Sequence, residues 1–410
     1  LEEARMRVAI NGFFQGQPNT GSGQYVISLI KAMAMSSSHE LVVLTPRWPG
    51  EARIPADPFP GRTDPRPKPG AEALAGRQRA IDCSGQTTTY SVTVPFKGNI
   101  GKLWFEQIGV PMAARRLRAD LLHVPYLGSP LLSPCPVVVT VHDLIMKILP
   151  EYRGSLAARS YTNMACAAAK RANLLIADSR CTRDDIIRLL RISPDKIRVI
   201  YLGFDERYLT RPDESALAAI RLKYGLGRKY IFYIGGLDSR KNVGGLIRAF
   251  GNIGGEWELA IAGRPHSKNQ TIYPSLNDAL SACAAAKQVK LLGFVPEDDK
   301  PALYSAAGLF VYPSLYEGFG LPPLEAMACG APVICSNTSS LPEVVGMAAL
   351  LADPNDGDAM VQCMRTILEN EETAREMRRL ARERAQLFSW RHAAVETLAA
   401  YDEVLNAAGQ

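Results

Sequence analysis

The chain has 410 residues, 47% hydrophobic and 21% charged, with 47 basic against 41 acidic side chains and a net charge of +6. That length is too great for one ordinary core, so two domains are the default, and the balance is that of a packed globular protein. It excludes a disordered or fibrous chain, a membrane span of roughly 18–20 apolar residues, and the concentrated basic footprint of a nucleic-acid binder.

The mild positive charge still permits an anionic substrate or an anionic membrane surface. No signal-peptide pattern is read at the start. The eight cysteines are scattered without a CxxC pair, so neither a zinc site nor a disulfide scaffold is read. Cys329 and Cys335 lie in apolar or small-residue stretches and read as core thiols, and a reducing, cytoplasmic setting is the simplest fit.

In chain order, strands are predicted at "RVAI" (7–10), "LVVL" (41–44), "VVVTV" (137–141), "NLLIA" (173–177) and "IRVI" (197–200). A second series follows at 230–235, 258–263, 289–295, 309–313 and 331–335. Continuous apolar runs separated by helix-length amphipathic stretches suit parallel strands with helices on both faces. Two such series predict two doubly wound α/β domains, each binding ligand at the C-terminal ends of its strands.

The irregular "GFDERYLTRPDES" (203–215) is the predicted boundary, giving an N-terminal domain over 1–205 and a second over 206–387. Residues 46–70 are so rich in proline that no helix or central strand is expected through them. They read as a long surface excursion, functional or disordered. "KLWFEQIGVPMAARRLR" (102–118) reads either as an interfacial helix or as a domain helix broken near Pro111 with a solvated basic face.

Four stretches carry the chemistry. In "NTGSGQYVISLIKAM" (19–33), Gly21, Ser22 and Gly23 form a turn that opens a helix and aims N–H groups outward, which suits an anion. The same pattern fits a plain helix start, and it lacks the signature of a P-loop. His142 follows the strand 137–141, at a ligand edge, and is either a satisfied structural histidine or a partner for a sugar hydroxyl. Arg240 and Lys241, in "YIGGLDSRKN", suit a diphosphate whose charge rises as it leaves, though an Arg-Lys pair is also an ordinary solvated turn.

"YEGFGLPPLEAMACG" (316–330) is the strongest of the four. The strand before it delivers Glu317 and the turn Gly318-Phe319-Gly320 to the ligand edge. Pro322 and Pro323 fit a first helical turn, and Gly330 fits its C-terminal cap. The N–H groups of Phe319, Gly320 and Leu321 are placed to hold phosphate oxygens. Glu325 is expected in the first helical turn, accepting from ribose hydroxyls, with Glu317 facing the transferred group. "DGD" (356–358) resembles a metal-binding Asp-x-Asp but reads better as an N-cap.

Together these residues resemble the retaining glycosyltransferases of family 4, over nearly the whole chain. The most specific likeness is the Glu-x7-Glu element from Glu317 to Glu325, continuing into "GAPVICSNTSSLPEVVG" (330–346). "TVHDL", "ADSRCTRDDI", "GGLDSRKNVGGLI" and "LGFVPEDD" follow the family's order, nearest to hexosyl- and mannosyltransferases of bacterial polysaccharide and glycolipid assembly.

The resemblance implies a GT-B fold and a metal-independent transfer of a hexose to a hydroxyl acceptor on a glycan or glycolipid. Its donor would be a GDP-, UDP- or ADP-sugar. Arg240 and Lys241 would hold the donor diphosphate; Gly318, Phe319, Gly320 and Leu321 would contact phosphate and sugar. Glu325 would bind the ribose, Val295 the base through its main chain, and His142 and Glu317 the hexose. The loop Gly21–Gly23 would lie between donor and acceptor. The last helix, 388–410, would return to the first domain. One departure stands out: many members have Gly-Arg where this chain has Gly235-Gly236. A nucleotide-sugar epimerase, a phosphorylase, or a non-catalytic sugar-nucleotide partner in an assembly complex are the rival readings.

Overall fold

The computed structural model describes residues 6–50, 77–78, 87–253, 255–264 and 271–408. Most of the proline-rich excursion therefore lies outside the described residues.

The first sheet holds β1 (Arg7–Asn11), β2 (Glu40–Arg47), β3 (Arg77–Gln78), β4 (Thr87–Thr93), β5 (Leu121–Val124), β6 (Val137–Val141), β7 (Leu174–Ala177) and β8 (Ile197–Val199). Their spatial order is β3-β4-β2-β1-β5-β6-β7-β8, parallel throughout except for β3 against β4. The second sheet holds β9 (Tyr230–Ile234), β10 (Glu258–Ala262), β11 (Val289–Gly293), β12 (Leu309–Tyr312), β13 (Val333–Ser336) and β14 (Leu350–Ala352), in the order β11-β10-β9-β12-β13-β14. Every pairing in it is parallel. Each order reverses direction beside its first strand, and that switch point opens a crevice at the strand C-termini.

The sheets are buried because both faces are covered. Val8, Val43, Val138, Ile231, Phe310 and Val333 are fully buried. Cys329 and Cys335 are buried and unpaired.

Four strands, β3, β4, β5 and β14, lie outside the expected runs, and β2 extends past its expected end. β4 is a run of Thr and Ser with little apolar signal, and β5 has only four residues. β2 continues through Pro46 to Arg47, although it is a central strand. Its partner β1 stops at Asn11, opposite Leu44, so Pro46 has a neighbour only on the β4 side. A missing N–H is tolerated there.

The chain crosses between the sheets twice, after β8 and before the final helix Trp390–Ala408. The crossings touch, since a Cβ on Gly203 would lie 2.0 Å from the Trp390 nitrogen. The final helix then lies against the first sheet's elements. Tyr401 Oη is 2.6 Å from His123 Nδ1, and Asp402 is 2.9 Å from His39 Nε2. No helix among the described residues is long and apolar enough to cross a membrane.

Candidate active site

The C-terminal ends of β9 and β12 bring the predicted cations and the first glutamate together. The loop after β9 closes in a short turn, Ser239–Lys241, and Asn242 takes a left-handed φ of 51° to start the next helix. β12 leads through Ser314 to Glu317. One oxygen of Glu317, Oε1, lies 2.6 Å from Lys241 Nζ, 2.9 Å from Arg240 Nη1 and 2.6 Å from Ser314 Oγ.

All three charged side chains are largely buried, and Lys241 also donates to Tyr312 Oη at 2.5 Å. Burial alone would raise the Glu317 carboxyl, but Lys241 and Arg240 overcome it and hold the group down to about 2. Burial lowers Lys241, and neighbouring Arg240 adds to that against the pull of Glu317. Arg240 Nε is buried without a hydrogen bond among the described residues, its nearest carboxylate oxygen being Asp238 Oδ1 at 3.4 Å. A buried guanidinium N–H without an acceptor is costly unless a ligand oxygen supplies one.

A Cβ on Gly236 would lie 2.6 Å from Asp238 Oδ2, the tip of a side chain and not backbone.

Gly318-Phe319-Gly320 runs into the helix Leu321–Cys329. Gly320 has a φ of 112° and Gly330, at the other end, 75°, both conformations that favour glycine. Pro322 and Pro323 lie in the first turn, as expected. The carbonyls of Glu317 and Phe319 accept from Ser340 Oγ, which fixes the turn. The N–H groups of Gly318, Phe319 and Gly320 donate to no group among the described residues.

Across the cleft the first sheet supplies His142 and Asp178, just past β6 and β7. His142 Nδ1 is 2.6 Å from Asp178 Oδ2 and Nε2 is 3.0 Å from the Pro125 carbonyl, so both nitrogens face acceptors. Burial opposes a charged ring, but Asp178 prevails and raises its pKa. The expectation that this side chain meets a sugar hydroxyl needs refinement, because a hydroxyl would have to replace the Pro125 carbonyl.

It is the His142 carbonyl that faces the second sheet. Ser179 Oγ donates to the Gly318 carbonyl at 2.6 Å, and Thr182 Oγ1 lies 3.2 Å from it and 3.1 Å from the His142 carbonyl. Glu343 receives the N–H groups of Arg180 and Cys181, both at 3.0 Å, and Tyr201 Oη at 3.1 Å. Tyr316 donates to Asp185, and Tyr152 donates to Asp238 while accepting the Arg240 N–H at 3.3 Å. The two lobes meet closely around the turn.

Glu325 sits in the second helical turn, not the first. The helix begins only at Leu321, so the carboxylate points toward Tyr304, whose hydroxyl donates to it at 2.9 Å. Burial raises it to about 7, with Lys300 opposing and Glu297 adding. Glu297 accepts from Tyr208 at 3.2 Å and from Gln24 of the first lobe at 3.3 Å. Gln24 places the start of the helix Gly21–Ser36 beside this cluster. One N–H expected to be free there is used, since Gly23 donates to the Thr20 hydroxyl at 3.1 Å. Val295 is buried just past β11.

Asp356 caps a helix through the Ala359 N–H at 2.9 Å, as read from the sequence. No group of three His, Cys, Asp or Glu side chains among the described residues is arranged to hold a metal.

Asp178, Ser179, Glu343, Tyr152 and Glu297 escaped the sequence reading. Asp178 and Ser179 stand directly after a buried strand, the signal that singled out His142.

Residues 19–208 match the family described as Glycosyltransferase Family 4, and residues 220–384 match Glycosyl transferases group 1. The chain is 35% identical to O-antigen chain mannosyltransferase B of Escherichia coli, over 64% of this chain and 69% of that one. The chain belongs to the family 4 glycosyltransferases. As a member it is an enzyme that transfers a glycosyl group. It is also 32% identical to the serotype-specific mannosyltransferase WbdA of Escherichia coli, spanning about a third (32%) of that longer chain. The fold of this glycosyltransferase is GT-B. Sucrose-phosphate synthase from Thermosynechococcus elongatus superposes on 98% of it with a TM-score of 0.74 at 21% identity.

Proposed function

We propose that this glycosyltransferase moves a hexose, mannose or glucose, from a nucleotide diphosphate sugar to a hydroxyl of a glycan or glycolipid, with retention and without a metal. The observation that carries the reading is the buried Arg240 and Lys241 pair beside a glycine turn whose N–H groups have no acceptor among the described residues. Two cations and a row of amides match the oxygens of a diphosphate and gain strength as it departs with more charge. Glu317 balances part of that positive charge while the site waits, and its carboxylate lies where a hexose hydroxyl can donate to it.

The reading assigns the ribose to Glu325, the base to the Val295 main chain and the reacting hexose to the space between His142 and Glu317. The acceptor belongs to the first lobe, approached past Gly21–Gly23. Lobe contact around Gly318 excludes water and aligns donor with acceptor. The leaving phosphate takes the acceptor proton, so no side chain need act as base. The setting is cytoplasmic, where thiols such as Cys329 and Cys335 stay reduced. The mannosyltransferase names of the relatives favour GDP-mannose as the first donor to try.

Thermal unfolding with GDP, UDP and ADP and their sugars tests the donor class. A ligand at about 100 times its dissociation constant adds about 2.7 kcal/mol to stability. One nucleotide should stabilise the protein strongly; stabilisation by none would contradict the reading. Incubating the donor alone separates the rivals, because an epimerase would make a new sugar nucleotide.

A further inference from the structure

Of the two readings of 102–118, an interfacial helix or a helix broken near Pro111, the break is absent: Gly98–Leu117 forms one continuous helix with a π-helical turn at Phe105–Gly109 just before the proline. The wider turn holds one more residue than an α-turn and resets the helical phase. As a result the outward positions become Ile100, Leu103, Ile108 and Met112, spaced three, five and four residues apart. These four large apolar side chains face solvent, with Ile100 67% and Met112 63% exposed. The inward face carries Phe105, Glu106 and Val110, all fully buried.

The apolar line continues beyond the helix. Gln107 holds the loop 129–132 in place, donating to the Ser129 carbonyl at 2.9 Å and accepting the Leu131 N–H at 3.0 Å. Leu132, 77% exposed, follows Leu131 in the same loop. Phe96, half exposed, precedes the helix at its other end.

Cations bracket the line. Lys97 stands at the helix start, Arg115, Arg116 and Arg118 at its end, and all four are exposed. Arg171 reaches the Leu131 carbonyl at 3.4 Å. The only carboxylate between Val94 and Arg118 is Glu106, which is turned inward beside Lys102 and Tyr161. An exposed apolar stripe with basic ends and no outward acid is the surface of a helix that lies in a membrane interface.

We propose that this face docks on an anionic lipid bilayer, with Ile100, Leu103, Ile108, Met112 and Leu132 in the interface and the arginines on the headgroups. Apolar burial gives the hold, and the cations supply a salt-sensitive share that reaches no further than a Debye length. The site between the lobes does not include these residues, so docking and sugar transfer are separable.

Vesicle flotation tests this with the whole chain. Vesicles of phosphatidylglycerol in phosphatidylcholine should carry the protein, and pure phosphatidylcholine or high salt should release most of it. Arg115→Glu with Arg116→Glu should lower partitioning at least about tenfold, as should Ile108→Ser with Met112→Ser. Unchanged thermal unfolding would show that the variants fold. A wild-type protein that stays off anionic vesicles would overturn the proposal, as would variants that bind as well as wild type. So would a lipid-free dimer in sedimentation that the Ile108 and Met112 changes dissociate, because the face would then belong to a second copy.

Discussion

Gly318 of the second lobe backs directly onto His142 of the first: a Cβ at Gly318 would lie 2.0 Å from the His142 carbonyl oxygen. Glycine there is a condition of closure, because backbone cannot move aside as a side-chain tip can. Gly318→Ala should leave both sheets folded but hold the lobes apart. Small-angle scattering should show a larger radius of gyration, and turnover should fall at least about tenfold, since misplacement of about 1 Å already costs on the order of a hundredfold.

Glu343 is the complementary latch, holding the Arg180 and Cys181 amides and the Tyr201 hydroxyl from across the cleft. Glu343→Ala should open the unliganded protein in the same scattering experiment. Because Glu343 touches none of the residues assigned to the donor, nucleotide affinity measured by calorimetry should change little while turnover drops.

Removing the charge of Glu317 leaves Arg240 and Lys241 buried with their main countercharge gone. Glu317→Gln should lose about 3 kcal/mol of stability, the usual scale for breaking a buried pair. A diphosphate nucleotide can replace the lost negative charge. The gain in unfolding temperature on adding the nucleotide should therefore be larger in the variant than in the wild type.

Glu325 makes a pH prediction of defined sign. Its carboxyl is raised from 4.5 to about 7, chiefly by burial, so between those values the folded state keeps a proton that the unfolded chain releases. Stability from this group is present below pH 4.5 and is lost as pH rises to about 7, on the order of 3 kcal/mol in all. Glu317, held down to about 2, acts the other way and matters only below 4.5. Glu325→Gln keeps an acceptor for Tyr304 and cannot ionise. Chemical denaturation across pH should show a flatter fall for the variant, which should be at least as stable as wild type at pH 8 yet bind nucleotide more weakly.

Much of this site was legible because its residues sit at strand ends, where apolar runs announce themselves. Arg240, Lys241, His142 and Glu317 all follow buried strands and all converge on the cleft. What the sequence hid was orientation. His142 is in place, but its side chain turns to Asp178 and Pro125 and its carbonyl meets Gly318. Glu325 fell one turn late because Gly320 takes the cap position. β4 was invisible as a Thr-Ser run, and Pro46 disguised the end of a central strand. The π-turn before Pro111 was beyond reach, since a periodicity count assumes regular helix. Ser179 and Glu343, which both bridge the lobes, stand 164 residues apart in the chain.

The most direct measurement is the position of the donor diphosphate in a crystal of the protein with the sugar nucleotide that most raises its unfolding temperature. Phosphate oxygens should lie within hydrogen-bond reach of Arg240, Lys241 and the N–H groups of Phe319, Gly320 and Leu321, with Arg240 Nε gaining a hydrogen bond. A donor bound elsewhere, with Glu317 still holding both cations and the glycine turn unoccupied, would contradict the account.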